Sequence, residues 1–98
     1  MIVPVVTIPE WGNQVEKQRR NRILVSVYAY AYEFDDSALV SDAEYDRLAR
    51  SIDPSIATGH GPLDQFFKQH YSPDTGMWIH HHPYLADIIR IYKRYFIQ

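Results

Sequence analysis

Six prolines, at positions 4, 9, 54, 62, 73 and 83, decide where this 98-residue chain can be helical. Proline has no backbone N–H, and its ring clashes with the preceding turn, so a helix tolerates it only in its first turn. Pro4 and Pro9 therefore bar a helix from residues 1–9, and this β-branched, apolar stretch is predicted to be an extended arm. Pro54 stops any helix that reaches it. Pro62 and Pro83 suit the first positions of new helices. Ser72-Pro73-Asp74-Thr75-Gly76 is a strong turn signal.

Helical periodicity fills the spaces these prolines leave. From about residue 10 to residue 34, Ile23, Val27, Tyr30, Ala31 and Phe34 recur at the spacing of one helix face, with Leu24, Tyr28 and Tyr32 as a neighbouring stripe. The first half of that helix, residues 16–22, is polar all round and is predicted to be solvated. Residues 35–40 read as a loop. Ser41 then opens a helix to about Ser51. Ser41 and Glu44 have the spacing of a capping box, Val40 and Tyr45 that of a hydrophobic staple, and Asp42 and Glu44 complement the helix dipole. Asp46 and Arg50 form an i, i+4 pair. Residues 55–61 are loop, and Leu63, Phe66, Phe67 and His70 make the stripe of a third helix. After the 72–76 turn, Leu85, Ile88, Ile89, Tyr92, Tyr95 and Phe96 repeat at helical spacing behind Pro83. The predicted fold is mainly α: one small domain spanning residues 1–98, with about four helices, the extended arm at 1–9, and room for a short two-stranded pair between that arm and residues 77–80.

Composition narrows the function classes. Apolar residues make up 46% of the chain and charged residues 22%, a globular balance rather than a disordered one. There is no cysteine, which excludes disulfides, thiolate nucleophiles and Cys-ligated metals. The apolar arm has no basic flank and is broken by its prolines, and no apolar run reaches the length of a membrane helix, so a cytoplasmic protein without membrane contact is expected. Net charge is −2, and residues 35–53 hold six acidic and two basic side chains. Direct nucleic-acid binding is not expected of such a chain; the basic residues within 17–22 read as a solvated helix face.

The acidic middle contains the most specific motif. Tyr28-Ala29-Tyr30-Ala31-Tyr32-Glu33-Phe34 leads without a gap through an acidic loop into Ser41-Asp42-Ala43-Glu44-Tyr45-Asp46-Arg47-Leu48. This helix–loop–helix, residues 28–50, resembles the N-terminal nicotinamide-mononucleotide-binding module (the Ia-like module) of bacterial NAD-dependent DNA ligases. In those enzymes a long helix bearing a Tyr-His pair is followed by an acidic loop and a helix opening Asp-x-Glu-Tyr-Asp-x-Leu. The resemblance covers a quarter to a third of the chain and implies NAD or NMN as ligand. It implies that Tyr32 and Tyr45 flank the nicotinamide ring, and that Asp42 and Asp46 accept hydrogen bonds from ribose or carboxamide. Glu33 stands where the family has its His. A carboxylate there repels a nucleotide phosphate, so the resemblance favours the nicotinamide and ribose over the phosphate. The family's adenylation domain and catalytic Lys motif have no counterpart here, so no ligase activity is expected. The chain is similar to small phage-encoded proteins that carry only this front module.

Other patterns are weaker. His80-His81-His82, with His60 and His70, suggests a metal, but successive residues of an extended segment face opposite ways, so only His80 and His82 could share an ion. Capping by His82 ahead of the last helix is the simpler reading, and no metal site is expected. Trp11 and Trp78 read as packing residues. Neither a Ser-His-Asp order nor a Gly-rich phosphate loop is present. Two functions follow as expectations: a non-catalytic module that binds a nicotinamide nucleotide, or an interaction protein that docks on a host enzyme or defence complex through its Tyr-rich surface.

Overall fold

A computed structural model describes residues 14–97. It contains four α-helices, α1 (Gln14–Asp35), α2 (Asp42–Ser51), α3 (Gly61–His70) and α4 (Leu85–Tyr95), with a 3₁₀ turn at Met77–His81 between the last two. The mainly α prediction therefore holds. The extended arm and Trp11 lie outside the described residues. Met77–His81, offered as half of a strand pair, is helical instead: its N–H groups bond within the segment, with Ile79 N–H reaching Gly76 O and His82 N–H reaching Ile79 O.

α1 is the central element, packing against α2, α4 and the 3₁₀ turn. It buries two sides. Val25 and Ala29 join Ala49 and Ile52 of the α2 region, Phe66 and Phe67 of α3, and Trp78 and Ile79 in one core cluster. Val27 and Ala31 join Ile88 and Tyr92 of α4 in a second. Alanine at 29 and 31 lets both neighbours approach the α1 backbone closely. The apolar stripe predicted for α1 is thus only half right. Val27 and Ala31 are fully buried, but Ile23 is 42% and Phe34 45% exposed.

The polar first half of α1 is the larger correction. Gln18 and Arg22, predicted to be solvated, are only 6% and 5% exposed. Burial is tolerable because most of their polar atoms meet the end of α2, the loop that follows it and Asp64 of α3, Arg22 Nε alone of these staying without a partner. The Gln18 amide donates to Ser51 O and accepts from Asp53 N–H, both at 3.0 Å. Arg22 pairs with Asp64 at 2.9 Å, donates to Asp53 O and Ile56 O at 3.0 and 2.9 Å, and lies over the Phe67 ring. Asp64 in turn accepts from the Thr58 N–H and hydroxyl. Burial raises the Asp64 pKa, but the Thr58 bonds and then Arg22 outweigh it and hold the carboxyl below its ordinary range. Arg19 adds a bond from its Nε to Thr58 O at 3.0 Å. A hydrogen-bonded stripe thus does on this face what apolar side chains do further along.

Local punctuation follows the sequence closely. Ser41 Oγ accepts from Glu44 N–H at 3.1 Å and starts α2 where expected. The Glu44 carboxylate pairs with Arg47 at 3.7 Å. Pro62 sits in the first turn of α3, whereas Pro83, expected to open the last helix, lies in the turn before α4, which starts at Leu85. Asp36, with φ of 51°, adopts the left-handed conformation that ends α1, and Ser37 N–H returns to Ala31 O at 2.9 Å. That reversal sends residues 38–40 back across the end of α1, where they wall the site described next.

Candidate functional site

The end of α1, the 38–40 loop, α2 and the 72–76 turn enclose a groove of about 310 Å³, within the size range of small-ligand sites. α1 contributes Tyr28 and Tyr32, which i, i+4 spacing places one turn apart on one face, and Ala29 beside them. α2 contributes Asp42, Tyr45, Asp46 and Arg50, again one face of successive turns. The far wall is Pro73, Asp74, Thr75 and Gly76. All four residues singled out from the sequence, Tyr32, Asp42, Tyr45 and Asp46, therefore line the same cavity.

Their environments differ. Tyr32 is 60% exposed, with its ring at the groove mouth rather than in the core. Tyr45 is half-buried and packs against the core cluster that contains Trp78. Burial pushes its phenol pKa up, the nearby Trp78 indole opposes this, and the Glu33 carboxylate adds to the rise. Neither Tyr45 Oη nor Trp78 Nε1, both buried, forms a hydrogen bond of normal geometry. Asp42 is exposed on the rim. Asp46 accepts from Arg50 Nε at 3.0 Å, the predicted i, i+4 pair. The same guanidinium reaches across to Asp74 at 3.0 Å, so Arg50 ties α2 to the opposite wall. Bonds to Asp74 and then Asp46 raise its pKa above the ordinary value. The wall is further fixed by the Tyr71 hydroxyl, which donates to Ala49 O at 2.7 Å; burial drives its pKa well up.

Glu33 is not among the lining residues. Its carboxylate turns to His80 Nε2, 3.3 Å away. It lies behind Gly76, where an added Cβ would come 3.5 Å from Glu33 Oε2. The charge is thus set behind the groove wall, next to the site rather than in it. The three consecutive histidines go to separate places. His80 pairs with Glu33 and packs on Phe34, and His81 stacks on His70. His82 is buried against Phe66, and its Nδ1 accepts from Tyr84 N–H; it orders the turn ahead of α4 rather than capping the helix, whose N-cap is Tyr84. Burial holds the His82 pKa down at about 4. Among the described residues no group of three or more His, Asp or Glu side chains is placed to hold a metal ion.

Pattern reading missed the far wall. Asp74, Thr75 and Gly76 were legible as a turn, but nothing local says that the turn faces α2; the contact depends on how Tyr71 and Trp78 pack. A second concavity of about 350 Å³ lies between α1, α3 and α4. It is lined by the apolar Ile23, Leu63, Phe67, Ile88 and Ile91 and by polar side chains that include Arg22, already paired with Asp64, and His82, already bonded to Tyr84 N–H.

The fold and groove define a class: a small helical domain with an aromatic and acidic ligand-sized groove at one end of its central helix. No protein-family model matches the chain, and neither the curated proteins nor the solved structures contain a match to it. No described helix is long and apolar enough to cross a membrane.

Proposed function

We propose that this chain is a non-catalytic binding module whose groove holds the nicotinamide–ribose portion of NAD or NMN. One observation carries the reading: Tyr32, Asp42, Tyr45 and Asp46, chosen by motif alone, converge on one ligand-sized cavity. Tyrosine rings offer faces for a planar heterocycle, and carboxylates accept from ribose hydroxyls or a carboxamide. The set suits recognition, with ring faces, acceptors and a guanidinium already engaged by two carboxylates. Calorimetric titration with NAD, NMN and nicotinamide riboside at about 100 μM protein tests it, since that concentration detects affinities down to the sub-millimolar range. Heat that disappears in Tyr32→Ala and Tyr45→Ala is the expected result. Absence of heat with all three ligands rejects the reading.

A second reading has its own support. Tyr32, Phe34 and Met77, on the elements around the groove, are large side chains left substantially in water. Docking of this surface on a host protein would cover them. Capture from host lysate that Tyr32→Asp and Phe34→Asp abolish is the expected result; recovery of the same proteins by wild type and variants removes this reading.

A further inference from the structure

We propose that the groove selects a cationic aromatic ring and discriminates against the phosphorylated form of the same nucleoside. The inference rests on the nicotinamide reading and names the member of that ligand class the site takes: the oxidised, positively charged pyridinium nucleoside.

The charged side chains lining the groove are three carboxylates, Asp42, Asp46 and Asp74, and one guanidinium, Arg50. Arg50 is held by two of those carboxylates at 3.0 Å each, so its charge is already matched. The rim therefore carries a net charge of −2, and among its lining residues no cation is left over for an incoming anion. Glu33 adds a carboxylate behind Gly76, facing His80. The walls add three aromatic side chains, Tyr28, Tyr32 and Tyr45. Aromatic faces carry negative quadrupole density, and aromatic cages with nearby carboxylates are the surroundings that favour a diffuse cation. An oxidised nicotinamide ring carries such a cation. A phosphomonoester brings a charge of about −1.5 to −2 to the same rim and meets no unpaired basic group in the lining. Removing the phosphate lifts this repulsion, and reducing the ring removes the attraction.

The experiment titrates the full chain with four ligands at about 50 mM salt, where rim charges are screened least. Nicotinamide riboside and 1-methylnicotinamide carry the cation without phosphate, NMN carries both, and dihydronicotinamide riboside carries neither. The riboside is expected to bind at least about tenfold more tightly than NMN and than the reduced riboside, which corresponds to about 1.4 kcal/mol. Its affinity should fall as salt rises. In Asp74→Asn, which removes one rim charge and leaves Arg50 paired with Asp46 alone, the preference for riboside over NMN should shrink by about threefold or more, the scale of one exposed charge. NMN binding as tightly as the riboside, equal binding of the reduced ring, or an unchanged preference in Asp74→Asn overturns the charge selectivity while leaving the nicotinamide reading in place. Binding by none of the four overturns the charge selectivity, and absence of heat with NAD as well overturns both.

Discussion

Replacing Arg22 by Met tests the least expected feature of the fold. The side chain is 5% exposed and satisfies three acceptors, Asp64 Oδ1, Asp53 O and Ile56 O. Methionine fills most of the volume but leaves the Asp64 carboxylate and two carbonyls without that donor. Breaking a fully buried ion pair from one side costs about 3–5 kcal/mol, and because Asp64 keeps its two Thr58 bonds this case should fall at or below the low end of that range. That is a large part of the 5–15 kcal/mol total of a typical domain. Urea unfolding followed by circular dichroism should show the midpoint falling sharply with little change in slope. The pH dependence supplies an independent reading. Asp64 titrates below its ordinary value in the folded protein, so its contribution is present above the unfolded carboxyl pKa and is lost as pH falls through the folded one. Without Arg22 the folded pKa rises, and acid unfolding should begin at higher pH. Asp64→Asn added to Arg22→Met should recover part of the loss by removing a charge then held by Thr58 alone. A loss below about 1 kcal/mol in Arg22→Met would show that water reaches these acceptors and that the polar stripe does not hold the 52–58 loop.

Three further expectations follow from single positions. Gly59 has φ of 89°, and a Cβ there would also come 3.4 Å from Arg19 Nη2, so Gly59→Ala should cost about 1–2 kcal/mol in chemical denaturation. His82 is buried with its pKa lowered to about 4 from an ordinary 6.5, so the unfolded chain takes up a proton that the folded one refuses. Its contribution is complete above pH 6.5 and is lost as pH falls towards 4; His82→Gln should flatten the melting temperature across that window. Tyr45→Phe removes a buried hydroxyl that makes no hydrogen bond of normal geometry, so thermal stability should stay level or rise, and a fall of more than about 1 kcal/mol would mean that the neighbouring Trp78 indole is a true partner.

The parts of this fold that were legible in the sequence are those set by local chemistry. Ser41 caps α2 through a bond three residues away, Pro62 marks the first turn of α3, and Asp46 meets Arg50 along one helix. Each of these depends only on neighbours in the chain. What escaped depends on the tertiary partner. Gln18 and Arg22 look like solvated residues until Ser51, Asp53, Ile56 and Asp64 come up against them, and those partners lie more than thirty positions along the chain. Ile23 and Phe34 match the apolar period of α1, yet the buried sides of that helix are set by Val25 and Ala29 against α2 and α3 and by Val27 and Ala31 against α4. The site divided in the same way. The α1 and α2 walls follow from helical spacing within one motif, and the opposite wall comes from a turn that Arg50 reaches only after the chain has passed through α3.

This division also separates what holds the protein together from what its groove presents. The buried polar stripe lies at the N-terminal half of α1 and faces the loop after α2. The groove lies at the other end of the same helix. Its Asp42, Asp46 and Arg50 side chains are exposed, and exposed ion pairs contribute about 0–1 kcal/mol to stability. Tyr32 leaves most of a large ring in water, which folding alone does not reward. Tyr45 is different, because its ring packs on the core cluster around Trp78 and reaches the groove as well. Substitutions at Tyr32, Asp42 and Asp46 should therefore leave the melting temperature nearly unchanged, whereas Tyr45→Ala should lower it by removing a packed ring. A groove whose aromatic mouth and acidic rim contribute so little to stability is free to be shaped by what it binds, and Tyr45, with Ala29 and Tyr28, is where an occupant would be felt in the core.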